Sequence, residues 1–94
     1  MLKLYACYIL RCADGRCYVG ATQDLRARLQ AHQAGRVPAT RRRRPVALVY
    51  YERFTTAHAA YRRERALKDG RTRKATREHL IATFPPASLA PLNG

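Results

Sequence analysis

A run of apolar strand formers opens the chain, and the pattern shifts to a helical rhythm further on. Leu4-Tyr5-Ala6-Cys7-Tyr8-Ile9-Leu10 is a run of strand formers, and so is Cys17-Tyr18-Val19-Gly20. Ala13-Asp14-Gly15 between them predicts a three-residue hairpin loop with Gly15 in the left-handed conformation. Turn length fixes register. Pairing Cys12 with Arg16 sets Leu10 opposite Tyr18 and Tyr8 opposite Gly20. Tyr8 and Tyr18 then share one face as diagonal neighbours, about 7–8 Å apart. A loop one residue longer would throw them onto opposite faces. The same register separates Cys12 from Cys7 and Cys17 by face, which argues against a disulfide in the hairpin.

Asp24 is a good N-cap for a first helix over residues 24–34, with Gly35 as its stop. Leu25, Arg28, Leu29 and His32 fall on one side of it. Residues 36–45 hold Arg41-Arg42-Arg43-Arg44 and read as an exposed basic loop. Val46-Ala47-Leu48-Val49-Tyr50-Tyr51 is nearly apolar, a third strand covered on both faces. Thr56 opens a second helix ending near Asp69-Gly70, with Ala57, Ala60, Tyr61, Glu64, Leu67 and Lys68 on its stripe, and Arg62, Arg63 and Arg65 pointing elsewhere. Thr72 caps a third, whose Leu80, Ile81 and Phe84 reach back to the core before Pro85-Pro86 ends it. The order β-β-α-β-α-α predicts an α+β fold: a small three-stranded antiparallel or mixed sheet flanked by helices. Residues 1–84 form the domain and 85–94 a loose tail.

Length and charge narrow the picture. Ninety-four residues make one domain. Nineteen Lys and Arg stand against six Asp and Glu, a formal charge of +13, and sixteen of the nineteen are Arg, whose planar fork matches phosphate. Such an excess destabilises the compact state unless a polyanion takes it up. A hydrophobic content of 47%, with no long apolar run, excludes disorder and a membrane span. Met1-Leu2-Lys3 leads straight into the amphipathic stretch without the pattern of a signal peptide, so a cytoplasmic protein is the default expectation. The sequence does not mark the oligomeric state, and a monomer is the default. Cys7, Cys12 and Cys17 fit no zinc template and read as free cysteines packed in strands.

Three features go beyond packing. Glu64 falls on the core-facing stripe of its helix, where a carboxylate is costly unless it is paired or binds a cation. A salt bridge to Lys68 one turn on is one reading, a metal ligand the other. Arg28 and His32, one turn apart beside Leu25 and Leu29, look inward or onto a cleft edge, which is notable because the two tyrosines also share a face. The Arg41, Arg42, Arg43 and Arg44 run is the natural contact for a phosphate backbone at this net charge.

These residues together resemble the GIY-YIG nucleases. Ala6-Cys7-Tyr8 and Tyr18-Val19-Gly20 resemble the paired triplets, and Arg28 in Asp24-Leu25-Arg26-Ala27-Arg28-Leu29 matches the family's catalytic arginine. His32 matches a position that is often His or Tyr, and Glu64 in Tyr61-Arg62-Arg63-Glu64-Arg65-Ala66-Leu67-Lys68 the metal-binding glutamate. The resemblance covers about residues 4–84 and is greatest to the small stand-alone bacterial members. It departs from the pattern in three places. Ala6 replaces a glycine, which a strand position with negative φ tolerates. Ala21 replaces the lysine of the excision-repair branch, and no counterpart is found for an asparagine near the domain end, Asn93 being placed in the tail.

The resemblance implies metal-dependent hydrolysis of phosphodiester bonds, with DNA the expected partner. One Mg²⁺ or Mn²⁺ ion would be held by Glu64, and Arg28 would stabilise charge on the scissile phosphate. Tyr8 would activate water with Tyr18 orienting it, or the reverse, and His32 would move the proton. Lys68 and the arginine loop would contact the nucleic acid. A nucleic-acid-binding module with weak or no catalysis is the alternative. A small ribosome-associated basic protein would explain the charge and leave the tyrosines and Glu64 unexplained.

Overall fold

The computed structural model describes residues 5–69 and 74–93. Leu4, Gly70 and Thr72, expected as part of a strand, a helix stop and a cap, lie outside the described residues. Strand β1 (Tyr5–Arg11) is central, flanked by β2 (Cys17–Thr22) and β3 (Ala47–Phe54), and both pairings are antiparallel. The hairpin takes the expected register, with Leu10 opposite Tyr18 and Tyr8 opposite Gly20. Gly15 has φ +82°, and the Cys12 N–H donates to the Arg16 carbonyl at 2.9 Å. No described non-glycine residue has a positive φ, so Ala6 is accommodated without strain.

Alternation along β1 splits the core in two. Ala6, Tyr8 and Leu10 pack with Leu25 and Leu29 of α1 (Leu25–Gln33). Cys7 and Ile9 face the other way, toward Leu67 of α2 (Ala57–Lys68) and Leu80, Ile81 and Phe84 of α3 (Lys74–Thr83). A central strand buried on both faces follows from that sandwich. The N-caps that open α1 and α2 are the expected ones: Asp24 accepts from the Ala27 N–H at 3.0 Å, and Thr56 from the Ala59 N–H at 3.2 Å. All three cysteines are free, with Cys12 in a different layer from Cys7. Among the described residues, no helix is long and apolar enough to cross a membrane.

Three expectations are corrected. Strand β3 runs on through Glu52, Arg53 and Phe54, because β1 continues to pair with it, and a bulge at Val49 shifts the register between Ile9 and Leu10. On α2 the inward face is centred on Ala60 and Leu67. Tyr61 therefore lies at its margin, 53% exposed, while Arg63 reaches Glu52 at 2.6 Å. The segment after residue 84 is not loose. It forms a short 3-10 turn (Pro86–Ser88) and a helical turn, α4 (Ala90–Asn93), and Leu89 and Leu92 pack on the Tyr8 side of the sheet. Asn93 pairs with β3 as a strand would, its Oδ1 accepting the Leu48 N–H at 2.9 Å and its Nδ2 donating to the Leu48 carbonyl at 2.8 Å.

Candidate active site

The hairpin brings Tyr8 and Tyr18 to one face with ring centroids 6.4 Å apart. His32 projects from α1 onto both, its ring edge-on at 5.7 Å from Tyr8 and 5.2 Å from Tyr18. Its Nε2 lies 2.8 Å from the Tyr8 hydroxyl, and its Nδ1 lies 2.7 Å from the hydroxyl of Thr40. Tyr8, His32 and Thr40 are all fully buried, whereas Tyr18 and Arg28 are half-buried. Arg28, one helical turn before His32, directs its guanidinium to the oxygens of both tyrosines.

This packing sets the protonation states. Burial pushes the Tyr8 phenol up to about 12, against the opposing pull of its hydrogen bond with Arg28. Burial, and secondly the Arg28 charge, push His32 down to about 4, so the imidazole is neutral at pH 7. Arg28 is held firmly cationic by its bond to Tyr8. Cys7, on the far side of β1, is pushed up to about 12 by burial and is an inert thiol.

Glu64 approaches from α2 on the opposite side of the sheet. Its side chain is 20% exposed and lies 3.6 Å from Lys68 Nζ, whose own side chain is 50% exposed. The Glu64 charge acts on both Tyr8 and Cys7, and Lys68 Nζ stands 5.8 Å from the centre of the Tyr18 ring. Glu64 is not alone in turning inward, for Glu52 and Glu78 are also partly buried. Those two are engaged by arginines at 2.6 and 2.9 Å, while the long contact to an exposed lysine binds Glu64 loosely. No group of three or more His, Cys, Asp or Glu gathers among the described residues. The donor set fits a hydrated ion anchored through one carboxylate, the habit of Mg²⁺, and does not fit a chelating cage.

The arginine run divides. Arg41 and Arg42 are exposed on a short 3-10 turn (Arg41–Arg43). Arg43 bonds Asp14 at 2.9 Å and its carbonyl accepts the Ala13 N–H, tying the loop to the hairpin. Arg44 donates to the carbonyls of Arg41 and Gln33. A cleft of about 470 Å³ opens beside Tyr18 and Lys68, with Arg11, Arg16 and Arg77 on its walls. Tyr8, Tyr18, Arg28 and His32 thus form one cluster with Glu64 and Lys68 at its border. The loop joins it through Thr40, while Arg43 and Arg44 make their contacts with Asp14, Arg41 and Gln33. Thr40 escaped the sequence reading. Nothing in the 36–45 segment marks it, since its role depends on the loop folding back over α1.

The profile of the GIY-YIG catalytic domain matches residues 4–78. A UPF0213 protein of Bacillus pumilus is 47% identical over 62 residues, a match covering 65% of this chain and 63% of that protein. The chain thus spans slightly under two thirds of that relative's length. A UPF0213 protein of Streptococcus pyogenes serotype M5 is 46% identical over 67 residues, covering 70% of this chain and 73% of the relative. The solution NMR structure of a UPF0213 protein from Bacillus halodurans superposes with a TM-score of 0.58 at 30% identity, covering 93% of each chain. The profile match over most of the chain, with the tyrosine hairpin, Arg28, His32 and Glu64 all inside it, assigns this protein to the GIY-YIG domain family.

Proposed function

We propose that the chain is a divalent-metal-dependent endonuclease that hydrolyses phosphodiester bonds in DNA, single-stranded or branched DNA among them, and serves repair, recombination or processing as a cytoplasmic monomer. The observation that carries this reading is the buried contact between Tyr8 and a neutral His32 beside the Arg28 cation. A module that only binds nucleic acid needs no buried proton acceptor next to a phosphate-binding cation.

Arg28 and the half-buried Tyr18 meet the scissile phosphate. With its phenol at about 12, Tyr8 does not stand as a tyrosinate at pH 7. It acts by taking a proton from the attacking water while passing its own to His32 Nε2. Tyr8 is fully buried, so water reaches its hydroxyl only by displacing a neighbouring side chain. A phosphate seated on Arg28 cancels the smaller of the two causes that depress His32, burial being the larger. Glu64 holds Mg²⁺ or Mn²⁺, which when bound supplies Lewis-acid stabilisation of the leaving oxygen. Lys68, Arg41 and Arg42 contact the backbone of the nucleic acid, with Arg43 and Arg44 holding the loop in shape.

Cleavage of a panel of single-stranded, branched and duplex DNA and of RNA, with and without Mn²⁺, tests this reading. Wild type should cleave at least one DNA only with metal, and Arg28→Ala and Glu64→Ala should both lose activity while remaining folded. Equal cleavage by Glu64→Ala would sink the mechanism. The alternative, a catalytically weak or inactive binding module, is favoured by one observation: Lys68 stands where it competes with a cation for Glu64. Binding without cleavage of any substrate would establish it.

A further inference from the structure

The neutral ring of His32 carries one proton, and its surroundings decide which nitrogen holds it. Tyr8 is fully buried, so its hydroxyl proton needs an acceptor within the protein. Arg28, which reaches the same oxygen, can only donate. His32 Nε2, at 2.8 Å, is the acceptor at hand. That places the ring proton on Nδ1, which lies 2.7 Å from the Thr40 hydroxyl. Thr40 is itself fully buried and anchored by its backbone, for its N–H donates to the Val37 carbonyl at 3.1 Å and its carbonyl accepts from the Arg43 N–H at 2.8 Å. Among the described residues its hydroxyl meets His32 Nδ1 alone, so the Tyr8 and Thr40 hydroxyls compete for one ring. The Arg28 cation beside the Tyr8 oxygen, a donor already in place there, favours Tyr8 as the one that donates.

We infer that Thr40 is a positioning residue: its hydroxyl accepts the Nδ1 proton of His32, holds the ring in that tautomer, and keeps the Nε2 lone pair aimed at Tyr8. The tautomer is a property of the chain itself, and only the kinetic consequence rests on the nuclease reading. In that reaction one water proton passes to the Tyr8 oxygen as the Tyr8 proton passes to Nε2. The hydroxide oxygen bonds to phosphorus, and the bond from phosphorus to the leaving sugar oxygen breaks, that oxygen taking a proton from solvent water. The imidazolium keeps its Nδ1–H on Thr40 throughout and later releases the extra proton to solvent. In the other tautomer Nε2 already carries a proton and accepts nothing. The Arg43 carbonyl tie and the Arg43–Asp14 pair connect Thr40 to the hairpin that carries Tyr18, so the loop between α1 and β3 supports the site without touching the substrate.

Long-range ¹H–¹⁵N correlation spectra of the imidazole rings at pH 7 read the tautomer without any activity. Wild type and Thr40→Ser should show His32 protonated at Nδ1, and Thr40→Val should show the Nε2–H form or a mixture. An Nε2–H ring in wild type, or an unchanged Nδ1–H ring in Thr40→Val, overturns the inference. In cleavage assays Thr40→Val should lower kcat roughly 10- to 100-fold with little change in KM, and Thr40→Ser should restore it. Wild-type kcat in Thr40→Val would remove the positioning role. If wild type cleaves nothing, the nuclease reading falls while the spectra still decide the tautomer.

Discussion

Tyr8 and Gly20 lie opposite each other across β1 and β2, and the Tyr8 phenol occupies the space that a side chain at position 20 would need. A β-carbon there would stand 2.5 Å from the hydroxyl oxygen and 2.6 Å from Cζ. The glycine of the second triplet is thus required by close approach and not by backbone conformation, and it lets the phenol end reach His32. Gly20→Ala should push the fully buried ring off His32, at an overpacking cost of about 1–3 kcal/mol. Chemical denaturation measures the loss, and cleavage should fall even where the variant is folded. Wild-type stability together with wild-type cleavage would show that the ring has room to spare.

Legibility in the sequence followed the range of each interaction. The hairpin register was readable because one local turn, Asp14-Gly15, sets every cross-strand partner, and so the shared face of Tyr8 and Tyr18 was readable too. Arg28 and His32 were readable because a single helix spaces them. Thr40 and Asn93 were not. Each acts through an interaction made only after a loop or the last helical turn folds back, with His32 for one and the β3 edge for the other. The α2 face was legible at Ala57, Ala60, Glu64 and Leu67 and missed only at its margins, where Tyr61 and Lys68 stand exposed and Arg63 is half-buried against Glu52, a pairing that local sequence does not mark.

His32 makes stability depend on pH. The ring is faced by Tyr8, Tyr18, Arg28 and Thr40, and its folded value near 4 is below the ordinary value of about 6.5. Between these two values the unfolded chain binds more protons than the folded one, so stability rises with pH across the window and is lost as pH falls from about 6.5 toward 4. The full effect is on the order of 3 kcal/mol. Denaturation midpoints of wild type and His32→Gln across this range check it. The wild-type slope should be the steeper, and parallel slopes would mean that folding leaves the proton affinity of His32 unchanged.

Asn93 closes the exposed edge of β3 beside the bulge, satisfying both backbone groups of Leu48. Asn93→Ala should destabilise the chain by about 1–3 kcal/mol, two hydrogen bonds at roughly 0.5–1.5 kcal/mol each. It also uncovers a strand edge able to pair with a second copy. Thermal unfolding and sedimentation at several concentrations test both effects. Asn93→Asp should be no better than Ala, because a carboxylate oxygen would face the Leu48 carbonyl where the amide donates.

In the proposed function Glu64 holds the cation, and Lys68 competes with that cation for the carboxylate. Their 3.6 Å contact is half exposed on the lysine side, so Lys68→Ala should alter stability by less than about 1 kcal/mol. It removes a positive charge beside the carboxylate, and Mn²⁺ affinity read by calorimetry should tighten roughly two- to five-fold, the same energy expressed as binding. Glu64→Gln should abolish the binding. Unaltered Mn²⁺ affinity in Glu64→Gln would place the ion elsewhere.

The four consecutive arginines should separate into two functional pairs. Arg41 and Arg42 are exposed, while Arg43 holds Asp14 and Arg44 holds the carbonyls of Arg41 and Gln33. Removing Arg41 and Arg42 together should leave the unfolding midpoint near wild type. It should weaken DNA binding and lower the slope of log K against log salt by roughly 0.7–0.9 for each phosphate no longer neutralised. Removing Arg43 and Arg44 together should lower the midpoint instead, because the loop that carries Thr40 loses its anchors to the hairpin and to α1. It should also disturb the His32 ring signals in NMR spectra, an effect the outer pair should not produce. If both double variants alter only the salt slope, all four side chains bind phosphate and the division fails.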